Sequence, residues 1–332
     1  MKRLSLFLLF IALTISSFAQ TPTPDEQPLG INLEGYDYPY SAEFYSLQSQ
    51  SQKLEMAYMY EQSDTPNGKT IMLMHGKNFN GAYWGETISA LLEEGYDVFV
   101  PDQIGFGKST KPEYYHYTFQ QLAKNTKAVM DSLGIQKTIV LGHSMGGMVA
   151  TRFALMYPEM TSKLVLENPI GLEDWKKKVP YQGMETWYQG ELGKTFQGVK
   201  KYMSASYYDN DWKPAYNEWL YLRTAFINSP DYNRYAWNQA LTTDMVMTQP
   251  VLYEFPQLEV PVVLIIGQRD RTALGSNLVS DSVAATMGNY PELGKRTAKA
   301  IPNATLIEID DIGHLPHIEN FDQFIDILLA NI

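Results

Sequence analysis

The chain has 332 residues, no cysteine, and 37 acidic against 26 basic side chains, a formal net charge of −11. With 45% apolar and 19% charged residues it is rich enough in apolar side chains to fold, which excludes a disordered chain. The lack of Cys excludes a disulfide framework and any thiolate zinc site, and the acidic excess argues against nucleic acid as the main partner.

The chain opens with Lys2 and Arg3, then an apolar run from Leu4 to Ile15, then small residues including Ser17 and Ala19. That is the pattern of an export signal cut after Ala19. The run is too short for a membrane span, which needs about 20 residues, and no second long apolar run follows. The expected location is therefore periplasmic or secreted, with no stable span after cleavage. Residues 20–38 are rich in Thr, Pro, Gly and Gln and read as a flexible lead-in.

Glu43–Leu47 and Leu54–Tyr60 alternate like the strands of a hairpin. Short apolar runs then alternate with stretches of helical period. The runs are Thr70–Met74, Val98–Pro101, Thr138–Leu141, Leu164–Glu167, Val260–Ile266 and Thr305–Ile309. The helical stretches include Glu86–Glu94, Phe119–Leu133, Met148–Met156 and Phe321–Leu329. Such a sequence predicts an α/β fold with a mostly parallel sheet covered on both faces. The alternation breaks over 171–248, which holds five of the six tryptophans and many tyrosines. We read this stretch as a helical cap inserted into a core made of 39–170 and 249–332. Most of its aromatics are expected in packing; Trp187, Trp219 and Tyr221 are the candidates to face a substrate.

Gly142-His143-Ser144-Met145-Gly146 follows the strand at Thr138–Leu141 and opens a helix. This is the context of a nucleophile elbow, in which a strained turn pushes the serine hydroxyl out and small flanking residues let strand and helix close. A serine hydroxyl needs a base. His314, just after the last strand, is the first choice and His317 its competitor. The base needs a carboxylate to hold its tautomer. Asp270, directly after the strand ending at Ile266, is the best candidate; Glu167, Asp310 and Asp311 compete with it, and helix capping is its alternative role. The loop His75-Gly76-Lys77 after the first parallel strand supplies one oxyanion donor, the Lys77 N–H, and the residue after the nucleophile, Met145, supplies the other. His75 is expected to bond within its loop.

On these residues the sequence resembles the α/β-hydrolase family, in the form that carries an inserted cap. The matching segments are LMHGKNFNGAYW (73–84), PDQIGFGKS (101–109), GHSMGG (142–147), GQRD (267–270) and DIGHLPHIE (311–319), in the family's order. The resemblance implies that Ser144, Asp270 and His314 are nucleophile, acid and base, and that Asp102 is structural. A serine at position 144 disfavours the dehalogenase and epoxide hydrolase activities that use an aspartate there. The expected activity is hydrolysis of a carboxylic ester of small or medium size, without metal or organic cofactor. Amide, lactone or carbon–carbon bond hydrolysis on the same triad, perhydrolysis, and non-catalytic ligand binding are the alternatives. Lys77 is unusual beside the oxyanion loop, and its ammonium is placed to meet a substrate carboxylate or a cap residue.

Overall fold

The computed structural model describes residues 28–332. The leader expected over 1–19, and the start of the lead-in, lie outside the described residues. Eight strands form one sheet: β1 (Glu43–Ser49), β2 (Gln52–Glu61), β3 (Thr70–Met74), β4 (Asp97–Pro101), β5 (Thr138–His143), β6 (Thr161–Glu167), β7 (Val262–Gly267) and β8 (Ala304–Ile309). Their order is β1-β2-β4-β3-β5-β6-β7-β8. The hairpin β1–β2 is antiparallel, as is β2 against β4; every later pairing is parallel.

The helices are α1 (Gly85–Glu93), α2 (Phe119–Ser132), α3 (Met145–Met156), α4 (Met184–Leu192), α5 (Phe196–Tyr207), α6 (Asn217–Thr224), α7 (Tyr232–Thr248), α8 (Asp281–Ala284), α9 (Tyr290–Ala300), α10 (Pro316–Glu319) and α11 (Phe321–Asn331). The apolar strands are buried on both faces because successive side chains point opposite ways. In β3, Met72 and Met74 pack on one face with residues of α2 and α3. Ile71 and Leu73 pack on the other with residues of α1 and α11. Four helices, α4 to α7, lie between β6 and β7 in the chain, a helical insertion in an otherwise alternating core.

The lead-in differs from the expectation from residue 29 onward. Leu29, Ile31 and Leu33 are buried against Tyr221, Leu222, Phe226 and Tyr235 of the insertion. The Tyr36 hydroxyl donates to Glu218 (2.5 Å) and that of Tyr38 to Asp102 (2.6 Å). Three apolar side chains spaced two apart carry this segment into packing, and its Gly and polar neighbours obscured them.

The parallel strands β3, β5, β6, β7 and β8 end side by side. Met74 pairs with Gly142, His143 with Glu167, and Gly267 with Ile309. Loops that leave the carboxyl ends of parallel strands converge there, and ligands bind at that edge.

Candidate active site

Ser144 sits between β5 and α3 with φ 56° and ψ −122°, a conformation that non-glycine residues rarely adopt. Its backbone is held from several sides. Its N–H donates to the Glu167 carbonyl (3.2 Å), and its own carbonyl accepts from Gly147 (3.0 Å) and Ile170 (3.1 Å). The neighbouring glycines are required by close approach. A Cβ at Gly142 would stand 2.3 Å from the Gly146 carbonyl oxygen, and one at Gly146 would stand 2.1 Å from that of Met74. The turn thus presses strand, helix and the β3 loop together and leaves the Ser144 hydroxyl facing outward.

The loop after β8 brings His314 to this hydroxyl. His314 Nε2 lies 3.0 Å from Ser144 Oγ, and its Nδ1 lies 2.7 Å from Asp270 Oδ2. Asp270 follows β7 and is fully buried with His314. Its carboxylate also accepts from the Asn168 side-chain amide (2.9 Å) and the Thr272 backbone N–H (2.8 Å). With its oxygens fixed in this way, the carboxylate receives the Nδ1–H, so Nε2 is left to accept the serine proton.

The competing residues are engaged elsewhere. Glu167 accepts from both the backbone N–H (3.1 Å) and the Nδ1 (2.7 Å) of His317. His317 stacks on Trp84, ring centres 4.3 Å apart. The Asp311 backbone carbonyl accepts from Arg269 (2.7 Å). His75 bonds within its loop as expected. Its Nδ1 donates to the Gly76 carbonyl (2.9 Å), and its Nε2 accepts from the Gln103 N–H (3.0 Å); burial lowers its pKa, which keeps it neutral. Asp102 accepts from the backbone of Gly81 (2.7 Å) and Lys108 (2.7 Å) and folds that loop.

Lys77 and Met145 flank the nucleophile. Met145 is the first residue of α3, where N–H groups lack acceptors within the helix and the helix dipole favours negative charge. The β3 loop is pressed against the elbow, because a Cβ at Gly76 would stand 3.0 Å from that of Ser144. A buried chain of hydrogen bonds ties this loop to His314. The Gly76 N–H donates to the Tyr83 hydroxyl (2.9 Å), which donates to His143 Nδ1 (3.0 Å). His143 Nε2 in turn donates to the His314 carbonyl (2.8 Å). Burial holds His143 well below the usual imidazole range, so it is neutral and has one proton to place.

A cavity of about 420 Å³ opens above Ser144, within the range of small-molecule sites. Trp187 lines it. Trp219 and Tyr221 do not: Trp219 lies edge-on to Tyr83, and Tyr221 packs with the segment around Leu29. Their aromatic character signalled burial, not contact with the cavity. Residues that sequence reasoning passed over do line it, among them Tyr202, Tyr207, Arg223 and Thr272. Tyr207 stacks on His314 with ring centres 4.8 Å apart, and Asn78 donates to its hydroxyl (2.6 Å). The density of tyrosine in the insertion was the available signal, without indicating which ring would reach the base.

Among the described residues no helix is long and apolar enough to cross a membrane, and no cluster of His and acidic side chains is arranged to hold a metal.

Residues 69–321 match the family model described as the α/β hydrolase fold. A probable hydrolytic enzyme of Pseudomonas aeruginosa PAO1, known by crystal structure, is 44% identical with a TM-score of 0.91, covering 94% of this chain and 99% of that one. Lipase 3 of Moraxella sp. (strain TA144) is 24% identical over 322 residues, 96% of this chain and 94% of that one. The 2-hydroxy-6-oxo-6-phenylhexa-2,4-dienoate hydrolase of Burkholderia cepacia is 30% identical over 151 residues, 44% of this chain. That match spans about half of the relative's length, 53%.

Proposed function

The chain belongs to the α/β hydrolase fold family, and from that premise we propose that it hydrolyses a carboxylic ester of small or medium size through an acyl-enzyme on Ser144. The observation that carries this reading is the buried row Asp270–His314–Ser144, joined by contacts of 2.7 and 3.0 Å, with Ser144 lining the cavity. The kinship with a bacterial lipase supports the ester among the bonds this chemistry can cleave.

In the first half-reaction Ser144 Oγ attacks the ester carbonyl carbon, and His314 Nε2 takes the hydroxyl proton. Asp270 holds the imidazolium that forms. The carbonyl oxygen takes up the electron pair and is received by the N–H groups of Lys77 and Met145. Collapse expels the alcohol oxygen, which leaves with the proton from His314. In the second half-reaction water gives its proton to the same nitrogen and attacks the acyl carbon. The acid departs, and the proton returns to Ser144. This proposed route needs no cofactor.

We also propose that residues 1–19 are a cleaved export signal and that the mature chain works outside the cytoplasm. Mass spectrometry of the protein from cell fractions tests this: a mature N-terminus at Gln20 is expected, and a cytoplasmic chain retaining Met1 would refute it.

The catalytic reading is tested with p-nitrophenyl esters of increasing acyl length and with a fluorophosphonate label. Turnover and labelling are expected in the wild type, and both are lost in Ser144→Ala. Folded wild-type protein that neither takes up the label nor turns over any ester would overturn the reading.

A further inference from the structure

The protein carries a net charge of −11, yet the wall of the Ser144 cavity gathers cations. Lys77, Lys194 and Arg223 line it, and Glu191 is the acidic side chain among them. Glu191 is already engaged. Lys194 Nζ donates to both its oxygens at 2.7 Å, and the Arg223 guanidinium stands 3.5 Å away. Arg223 is further held by the Tyr235 hydroxyl, to which it donates at 2.9 Å.

Lys77 has no carboxylate of its own. Its ammonium donates to the backbone carbonyl (3.1 Å) and the side-chain carbonyl (3.0 Å) of Gln239 in α7. Two of its three N–H groups are used in this way, by neutral acceptors. The cluster therefore holds three cationic side chains around one anion. Removing charge from water is costly unless a counter-charge is near. Burial accordingly pushes the Lys77 ammonium down to about 7, despite the attraction of Glu191.

A wall with surplus cations is complementary to a ligand bearing oxygen anions.

We infer that the cavity holds a carboxylate-binding subsite built from Lys77, Lys194 and Arg223, so that its substrate is an ester whose far end carries a carboxylate. Glu191 keeps Lys194 and Arg223 in position, and the ligand's carboxylate supplies the counter-charge that Lys77 lacks. Lys77 also ties the two ends of the substrate together in space: its backbone belongs to the loop beside Ser144, while its ammonium reaches α7. The inference rests on the ester-hydrolysis reading of the same cavity.

The experiment has two arms. The first compares kcat/KM for the p-nitrophenyl monoester of glutarate with that for p-nitrophenyl pentanoate, which has the same acyl length and no charge. The wild type is expected to prefer the anion by about tenfold or more, equivalent to about 1.4 kcal/mol. The ratio is expected to collapse toward one in Lys77→Met and in Lys194→Met, and to persist in Lys77→Arg. The two Met variants guard against a single folding failure. The second arm measures calorimetric binding of glutarate and of neutral glutaramide to Ser144→Ala protein. Glutarate is expected to bind more tightly, and addition of Lys77→Met abolishes the difference. Equal rates on the two esters, or no discrimination between glutarate and glutaramide, would overturn the carboxylate subsite while leaving ester hydrolysis intact. Glutarate binding that depends on Lys77, with no ester turned over, would keep the subsite and remove the ester.

Discussion

Tyr83→Phe removes one oxygen from the chain of hydrogen bonds that joins the Gly76–Lys77 loop to His314. The Tyr83 hydroxyl accepts the Gly76 N–H at 2.9 Å and donates to His143 Nδ1 at 3.0 Å. The phenylalanine ring keeps the stack on Phe79, ring centres 4.9 Å apart, so packing volume is nearly unchanged. Two buried polar groups are left without partners, and each costs about 1–3 kcal/mol. The expected destabilisation is therefore about 2–6 kcal/mol. At about 2–4 °C per kcal/mol for a chain of this order of size, Tm should fall by about 5 °C or more. Activity should fall as well, because the Gly76–Lys77 segment and the His314 carbonyl both lose their fixed reference. We expect kcat on a p-nitrophenyl ester to drop by about tenfold, or about 1.4 kcal/mol, with little change in KM. Thermal unfolding and steady-state kinetics on the same preparation decide the matter. A Tm within about 1 °C of wild type, together with kcat within about twofold, would refute the claim that this hydroxyl couples the two loops.

Asp270→Asn should lower kcat by about 10⁴-fold without unfolding the protein, because an amide favours the wrong imidazole tautomer; a loss under about tenfold would assign Asp270 to loop packing alone. Gly313→Ala should destabilise the fold by about 1–3 kcal/mol and displace the base, since a Cβ there would stand 2.1 Å from the Tyr207 carbonyl oxygen; unchanged Tm and kcat would show that the loop and the insertion yield freely. Burial raises the Glu191 carboxyl, but Lys194, Arg223 and Lys77 outweigh it and hold it down to about 2. A depressed folded pKa stabilises above the unfolded value near 4.3 and is lost as pH falls toward 2. The wild type should thus exceed Glu191→Gln in stability by about 3 kcal/mol at pH 7, and the gap should close between about pH 5 and 2. A gap that stays constant over that range in thermal unfolding would contradict the ion-pair account.

The core of the fold was readable because its strands are continuous apolar runs of the right length. Thr70–Met74 forms β3 as expected. The run expected over Val260–Ile266 begins at Val262, because Pro261 has no N–H to give a ladder and contributes only its carbonyl, to Leu164. The helix after the elbow starts at Met145, three residues ahead of the apolar stretch; Gly146 and Gly147 weaken its helical signature yet are demanded by strand–helix contact. The sequence motifs also indicated which hydroxyl, imidazole and carboxylate lie together. The insertion was much less readable. Its helices carry aromatics on several faces, and composition does not tell an aromatic that meets the cavity from one that meets another aromatic. Trp219 and Tyr221 illustrate this. So do the cations of the wall: Lys194 and Arg223 lie on separate stretches of the insertion, and only folding brings them to Lys77.

The insertion is more than a cover, because it helps to fix His314. The Tyr207 carbonyl, at the end of α5, accepts the His314 N–H at 3.2 Å, and the Tyr207 ring lies against the imidazole. Gly313 permits this contact by having no side chain. On the other side, the Asn78 side chain from the oxyanion loop donates to the Tyr207 hydroxyl. One tyrosine of α5 therefore touches both His314 and the loop that carries Lys77. A displacement of α5 large enough to break these contacts would loosen His314 and the Asn78 side of the oxyanion loop together.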